Sequence, residues 1–271
     1  METTLEVLIP LRNPTEVPEK TVASLAEQSE RNFTVLFSDN HSVTGRDVID
    51  AALAVLQKNN IGAKILRPPH EFGRVEHWNW LHYQSRTDWL KPLFSGDWLE
   101  ADYIAAVRSV IAQEPACSYV FCGFQHHQGE ETTTIQPRWS GRFFPPAEMQ
   151  DVVMRYAMQF GPPSAAVYRS EIFLKAGGYD PSLPICADSL LFCQFAARHG
   201  AYGLPKAYTH FLIHAARFSH TLPEKERETF REKIRYCVTL GINAWHERWR
   251  FPLTGYLRLF AREIAQRRKA H

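Results

Sequence analysis

The chain has 271 residues, 45% of them hydrophobic and 22% charged, with a formal net charge of +2. That balance allows a large buried core, argues against a disordered or fibrous protein, and gives no footing to a nucleic-acid partner. Five cysteines, an odd number without CxxC spacing and mostly in apolar contexts, argue against a disulfide framework or a zinc site and point to a reduced, cytoplasmic protein. The start, Met1-Glu2-Thr3-Thr4, lacks the basic and apolar pattern of a signal peptide. No window approaches the roughly 18 apolar residues of a membrane span, so any membrane contact is expected to be peripheral.

Leu5 to Ile9 is an apolar strand candidate closed by Pro10, and Glu19 to Gln28 sets Val22, Leu25 and Ala26 at helical spacing. Phe33 to Phe37 reads as a second strand, and Arg46 to Asn59 as an amphipathic helix through Val48, Ile49, Ala52, Leu53, Val55 and Leu56. A strand at Ala63 to Leu66, a tryptophan-rich helix at Val75 to Gln84 and a strand at Leu90 to Phe94 complete an alternation that calls for parallel pairing. The pattern then becomes less regular. A helix at Tyr103 to Ala112 and a strand at Ser118 to Phe124 lead into a polar loop or hairpin, Gln125 to Thr134. A helix over 147–158, a strand over 164–168 and helices over 170–176 and 188–199 follow, the last stopped by Gly200.

Beyond Leu222 the sequence becomes a charged helical tail. From Trp245 onward seven Lys or Arg stand against two Glu, interleaved with Trp249, Tyr256, Leu257 and Phe260. Two readings of 222–271 stay open: an interfacial anchor for an anionic membrane surface, or a helix whose apolar face covers the core.

Three aspartates stand at element boundaries. Asp39 follows the second strand, Asp97 the fourth, and Asp188 opens the apolar run Leu190-Leu191-Phe192. In open α/β sheets the carboxyl ends of strands are where ligands bind, so acids placed there point at a site. Each also has a plain structural reading: an Asx turn for Asp39, a helix or turn cap for Asp97, and a helix N-terminal acid for Asp188.

An ordered set of motifs surrounds these acids. Val7-Leu8-Ile9-Pro10-Leu11-Arg12-Asn13 is followed by Thr21-Val22-Ala23-Ser24-Leu25 and Gln28, then by Ser38-Asp39-Asn40-His41-Ser42-Val43-Thr44-Gly45. Asn79, Lys91-Pro92-Leu93-Phe94-Ser95-Gly96-Asp97-Trp98-Leu99 and Gly177-Gly178-Tyr179-Asp180, leading to Ala187-Asp188, complete the set. In order and spacing, over about residues 5–220, it resembles the family 2 glycosyltransferases, inverting enzymes of the GT-A fold that use a nucleotide-sugar.

The resemblance implies an α/β fold, a Rossmann-like mixed sheet flanked by helices, to which this sequence adds a C-terminal helical extension. It implies one domain over 1–221, with a nucleotide-binding half at 1–100 and an acceptor half at 101–221. The donor would be a nucleoside-diphosphate sugar, and the acceptor a hydroxyl of a glycan or lipid-linked molecule, as in bacterial surface polysaccharide synthesis. Asp39, with Pro10, Arg12 and Asn13, would recognise the donor, and Asn79, Lys91 and Ser95 would lie on the same side. Mn²⁺ or Mg²⁺ would sit at Asp97, with His214 completing the metal or phosphate contacts and His210, Arg217 and His220 as competitors. Hard cations favour such oxygen ligands, and a diphosphate leaving group needs its charge neutralised. Asp188 would be the base that deprotonates the acceptor.

The sequence departs from the pattern at Gly96 and Ala187, where the family carries acids. A degenerate member that binds nucleotide-sugar or a partner enzyme without turnover is therefore the alternative. A nucleotidyltransferase fits less well, because Leu11-Arg12-Asn13-Pro14 has no glycine to cradle phosphate. Arg67 and Arg74 are further donor-side candidates. His126-His127 reads as loop polarity, and of Trp78, Trp80, Trp89 and Trp98 more are expected in the core than on sugar faces.

Overall fold

The computed structural model describes residues 3–14, 19–156, 160–212 and Glu232. Four parallel strands form its first half: β1 (Leu5–Leu11), β2 (Thr34–Asp39), β3 (Gly62–Leu66) and β4 (Trp89–Pro92), in the spatial order β3-β2-β1-β4. The sheet continues through β9 (Ala166–Arg169), β6 (Tyr119–Gln128), β10 (Ala201–Leu212) and β5 (Trp98–Leu99). Here the directions mix. β9 runs antiparallel to both β4 and β6, β6 and β10 are parallel, and β5 is antiparallel to β10. Two short additions, β7 (Glu131–Ile135) on β6 and β8 (Phe143–Phe144) on β10, lie off this path.

The helices are α1 (Glu19–Ala26), α2 (Arg46–Lys58), α3 (Arg74–Gln84), α4 (Tyr103–Gln113), α5 (Pro146–Tyr156), α6 (Ser170–Ala176) and α7 (Ala187–His199). They cover both faces, as the strand alternation requires. Leu5, Val7, Ile9 and Leu11 of β1 and Val35 and Phe37 of β2 join α1, α2 and α4 in one core, with Val22, Leu25, Ile49, Leu56 and Ile104. Leu8 and Leu36 point the other way, into a second core with Val75 and Leu81 of α3, Phe173 of α6 and Leu190, Leu191 and Phe195 of α7.

Every helix expected before residue 200 is present to within a few residues, and so are the strands of the parallel half. The expected hairpin is β6 with β7, and it places His126 and His127 in strand β6 rather than in a loop. Three strands have no counterpart in the sequence reading: β5, the two-residue β8 and the twelve-residue β10. β10 carries Gly203, Pro205 and Lys206, and its register against β6 shifts between Gly203 and Ala207. A bulge at a proline breaks the alternation that announces a strand. The tail beyond Leu212, apart from Glu232, lies outside the described residues, and so does the expected C-terminal helix. No described helix is long and apolar enough to cross a membrane.

Candidate active site

The carboxyl ends of β1 and β2 are laced together. Asp39 is buried and its Oδ1 accepts the Ser42 amide at 2.8 Å, so the Asx turn is formed. The Asn13 amide donates to Ser42 Oγ at 2.8 Å, and Asn13 Oδ1 accepts the Val43 amide at 2.9 Å. Asn13 and His41 adopt positive φ of 45° and 57°, a conformation asparagine and histidine tolerate better than most residues. The other oxygen of Asp39 lies 3.9 Å from Arg67 Nε, while Arg12 pairs with Glu71 at 2.5 Å on the half-exposed rim. Pro10 stands opposite Ser38 in the register. Asn40, just beyond Asp39, holds both backbone groups of Phe72 at 2.8 and 2.9 Å and so fixes the loop leading into α3.

Helix α3 connects this corner to the other two acids. His77 Nε2 lies 2.6 Å from Ser38 Oγ beside Asp39, and burial pushes the ring down to about 4 against the favourable charge of Asp39, so it is neutral at pH 7. Trp78 packs at a tilt against Phe94, of the turn that carries Asp97, at 4.6 Å between centroids, and meets Tyr179 edge-on at 5.7 Å. Asn79 gives both ends of its carboxamide to Tyr179, accepting the amide and donating to the carbonyl at 2.8 Å each. Arg74 lies over the Trp78 ring at 4.6 Å and is coupled electrostatically to Asp188.

Asp97 sits on a closed polar floor. It is 1% exposed. Its amide donates to Phe94 at 2.9 Å, closing a turn whose third residue, Gly96, has φ +95°, and open space surrounds the position a Cβ would take. Turns of this kind need positive φ there, which favours glycine over an acid. From below, Ser164 Oγ donates to Asp97 Oδ2 at 2.5 Å and accepts the Phe94 amide at 3.1 Å. The Ser164 carbonyl accepts from Thr209 Oγ1 at 3.0 Å and from the fully buried ammonium of Lys91. Burial brings that ammonium down to about 7, opposed by its electrostatic coupling to Cys122 and Asp97.

Asp188 opens α7 and is half-buried. Its Oδ1 accepts the Ser189 amide at 2.7 Å. Burial pushes the carboxyl up, and the Ser189 amide and the Arg74 charge oppose that rise without cancelling it. A carboxylate held above its usual range is a better proton acceptor than a solvated one.

The structure therefore gathers Asp39, Asp97 and Asp188 around α3, with Pro10, Arg12 and Asn13 on the Asp39 side. Lys91 lies beneath Asp97 and Asn79 is taken up by Tyr179, so their contacts here are to protein, whereas Ser95 is exposed on the turn. His214 lies outside the described residues. His210 bonds Glu100 at 2.8 Å and His127 at 3.0 Å, and stacks on Trp98. Among the described residues no group of three or more His, Cys, Asp or Glu is arranged to hold a metal ion, and Asp97 brings one carboxylate. The described residues do not form a metal site by themselves. Ser164 and His77 carry no sequence signal, because their partners lie 67 and 39 residues away.

Comparisons with known proteins bear on the fold and the family. The family model described as Glycosyl transferase family 2 matches residues 6–177. No curated protein matched. Among solved structures, S. aureus TarS 1–349 in complex with UDP-GlcNAc superposes with a TM-score of 0.70 at 14% identity, over 90% of this chain and 68% of that one. TarS 1–349 in complex with UDP gives 0.65 at 15%, over 90% and 67%. Mannosyltransferase PcManGT from Pyrobaculum calidifontis, in complex with GDP-Man and Mn²⁺, gives 0.61 at 12%, over 98% and 76%. The chain spans about two thirds of TarS 1–349 and 44% of the longer TarS chain. Such identities speak for the fold alone; the family model covers most of the sequence, and on that ground the chain belongs to glycosyl transferase family 2.

Proposed function

We propose that this glycosyltransferase moves a sugar from a nucleoside-diphosphate sugar to a hydroxyl of a glycan or lipid-linked acceptor, with inversion, in the synthesis of a bacterial surface polysaccharide. The observation that carries this reading is the placing of three acids around one helix, with Asp39 beside His77, the Asp97 turn against Trp78 and Asp188 beside Arg74. Asp39, with the loops at Pro10, Arg12 and Asn13, recognises the nucleoside. Asp188 takes the acceptor proton as the acceptor oxygen bonds to the anomeric carbon and the bond from that carbon to the diphosphate breaks. The bonds of Asn79 and Lys91 make them positioning groups in this scheme, one for the Tyr179 loop and one for the Asp97 floor.

A divalent cation, Mn²⁺ or Mg²⁺, would neutralise the departing diphosphate, with Asp97 as a ligand and further ligands from His214 and the diphosphate. The tail over 222–271 is the part of the chain suited to a peripheral contact with an anionic membrane on the cytoplasmic side.

The test is a panel of nucleotide-sugars, with and without Mn²⁺, read by protection against heat and by release of nucleoside diphosphate. Binding by one donor together with release is the expected result. No binding under either condition would overturn the reading. The lone carboxylate at the Asp97 turn favours a second reading, a binding protein without turnover, which predicts protection without release.

A further inference from the structure

Glu232 meets the amino end of the helix that carries the candidate base, although it is distant in sequence. It is 1% exposed. Its Oε2 accepts the Cys186 amide at 2.7 Å and the Ile185 amide at 2.9 Å, with Oε1 3.1 Å from the latter. These amides immediately precede α7, at an end where unpartnered backbone donors collect, and the N-cap residue Cys186 supplies no side-chain cap of its own. The cap arrives from 46 residues away. A buried carboxylate is costly unless charge or strong donors meet it, and here two amides and the coupled guanidinium of Arg74 do so.

We propose that Glu232 is a positioning residue for Asp188: it closes the amino end of α7 and shares Arg74 with the base, and thereby fixes both the place of Asp188 and the charge that surrounds it. The inference rests on the reading of Asp188 as the base. Three effects of Glu232 have the same sign. Its negative charge sits at the end of the helix that Asp188 opens, it occupies amides at the positive end of the helix dipole, and it draws on the Arg74 cation that is coupled to both acids. Each raises the proton affinity of Asp188. Among the described residues, the other titratable groups coupled to Asp188 are Tyr119 of β6 and Tyr179 ahead of α7, both kept protonated by burial.

The experiment is Glu232→Gln in the full chain, a near-isosteric change that removes the charge. Carboxyl ¹³C NMR, with the Asp188 signal assigned through Asp188→Asn, should show the Asp188 titration shifted to lower pH. The acid limb of nucleoside diphosphate release should move the same way. A folded Glu232→Gln protein whose Asp188 titration is unmoved or shifted upward would overturn the proposal. Arg74→Met gives the opposite sign, an upward shift, and judges the shared-cation network if Glu232→Gln does not fold; an unmoved titration there overturns it equally. Because the titration needs no turnover, a shifted midpoint without release would leave the Glu232 relation standing and count against the transferase reading alone.

Discussion

The surroundings of Asp97 and Asp188 differ in kind. Asp97 rests on a floor whose polar atoms are matched to one another: Ser164 serves its carboxylate, the Phe94 amide, Thr209 and Lys91, and Thr21 Oγ1 donates to the Asp97 carbonyl at 2.5 Å. Asp188 has one amide bond from its neighbour, a coupled arginine, and a burial cost that its partners do not offset. A satisfied network rigidifies its members, whereas a carboxylate held against its burial cost is disposed to take a proton. The first environment suits an anchor and the second a reagent.

Replacing the reagent should have the largest effect. Asp188→Asn is expected to lower nucleotide-sugar turnover by about 10²–10⁴-fold with donor binding retained, measured by steady-state kinetics and calorimetry. Because the folded carboxyl titrates above its unfolded value, its ionised form costs stability at neutral pH, and the variant should melt at a higher temperature. Normal turnover in this variant would remove the contrast altogether.

Acid should act next, on the helix that joins the two regions. His77 and His82 are both held down to about 4 by burial, so the folded state resists protonation that the unfolded chain accepts near 6.5. The stability they contribute is complete above about pH 6.5 and lost as pH falls toward 4, on the order of 3 kcal/mol per ring. Urea melts across that window measure the slope, and His82→Phe, which removes one titrating ring, should flatten it.

Asn79→Ala strips the Tyr179 backbone of two bonds and should cost about 1–3 kcal/mol in denaturant melts, with turnover lowered and affinity for UDP or GDP nearly unchanged. A large loss of nucleotide affinity at unchanged stability would instead make Asn79 a direct donor contact. Gly96→Ala is the smallest expected change on the anchor side. No atom obstructs its Cβ, so the φ of +95° alone should cost about 1 kcal/mol.

The acids themselves were legible in the sequence because strand ends can be read locally. Ser38-Asp39 follows five apolar or β-branched residues, and the structure ends β2 at Asp39. What joins the acids was not legible. His77, Trp78 and Asn79 read as an ordinary helix face, yet they reach Ser38, Phe94 and Tyr179, contacts that span from 16 to 100 residues of sequence. Lys91 and Asn79 looked like donor contacts for the same reason: a sequence shows that a polar group is present and is silent on which partner already holds it. β10 is not legible in the sequence because Pro205 interrupts its pattern, and the neighbouring strands β6 and β5 supply the hydrogen bonds that keep it in the sheet.

The sequence by itself determined the two-sided sheet, since the alternation of Val7, Leu8 and Ile9 assigns each side chain to a face, and it determined where chain direction places acids at strand ends. It also determined family membership, through motifs whose order survives without their geometry. Only the tertiary structure decided the state of each acid. Whether a carboxylate is an anchor or a base depends on the donors, cations and solvent around it, and those come from residues as far away as Ser164 for Asp97 and Arg74 for Asp188.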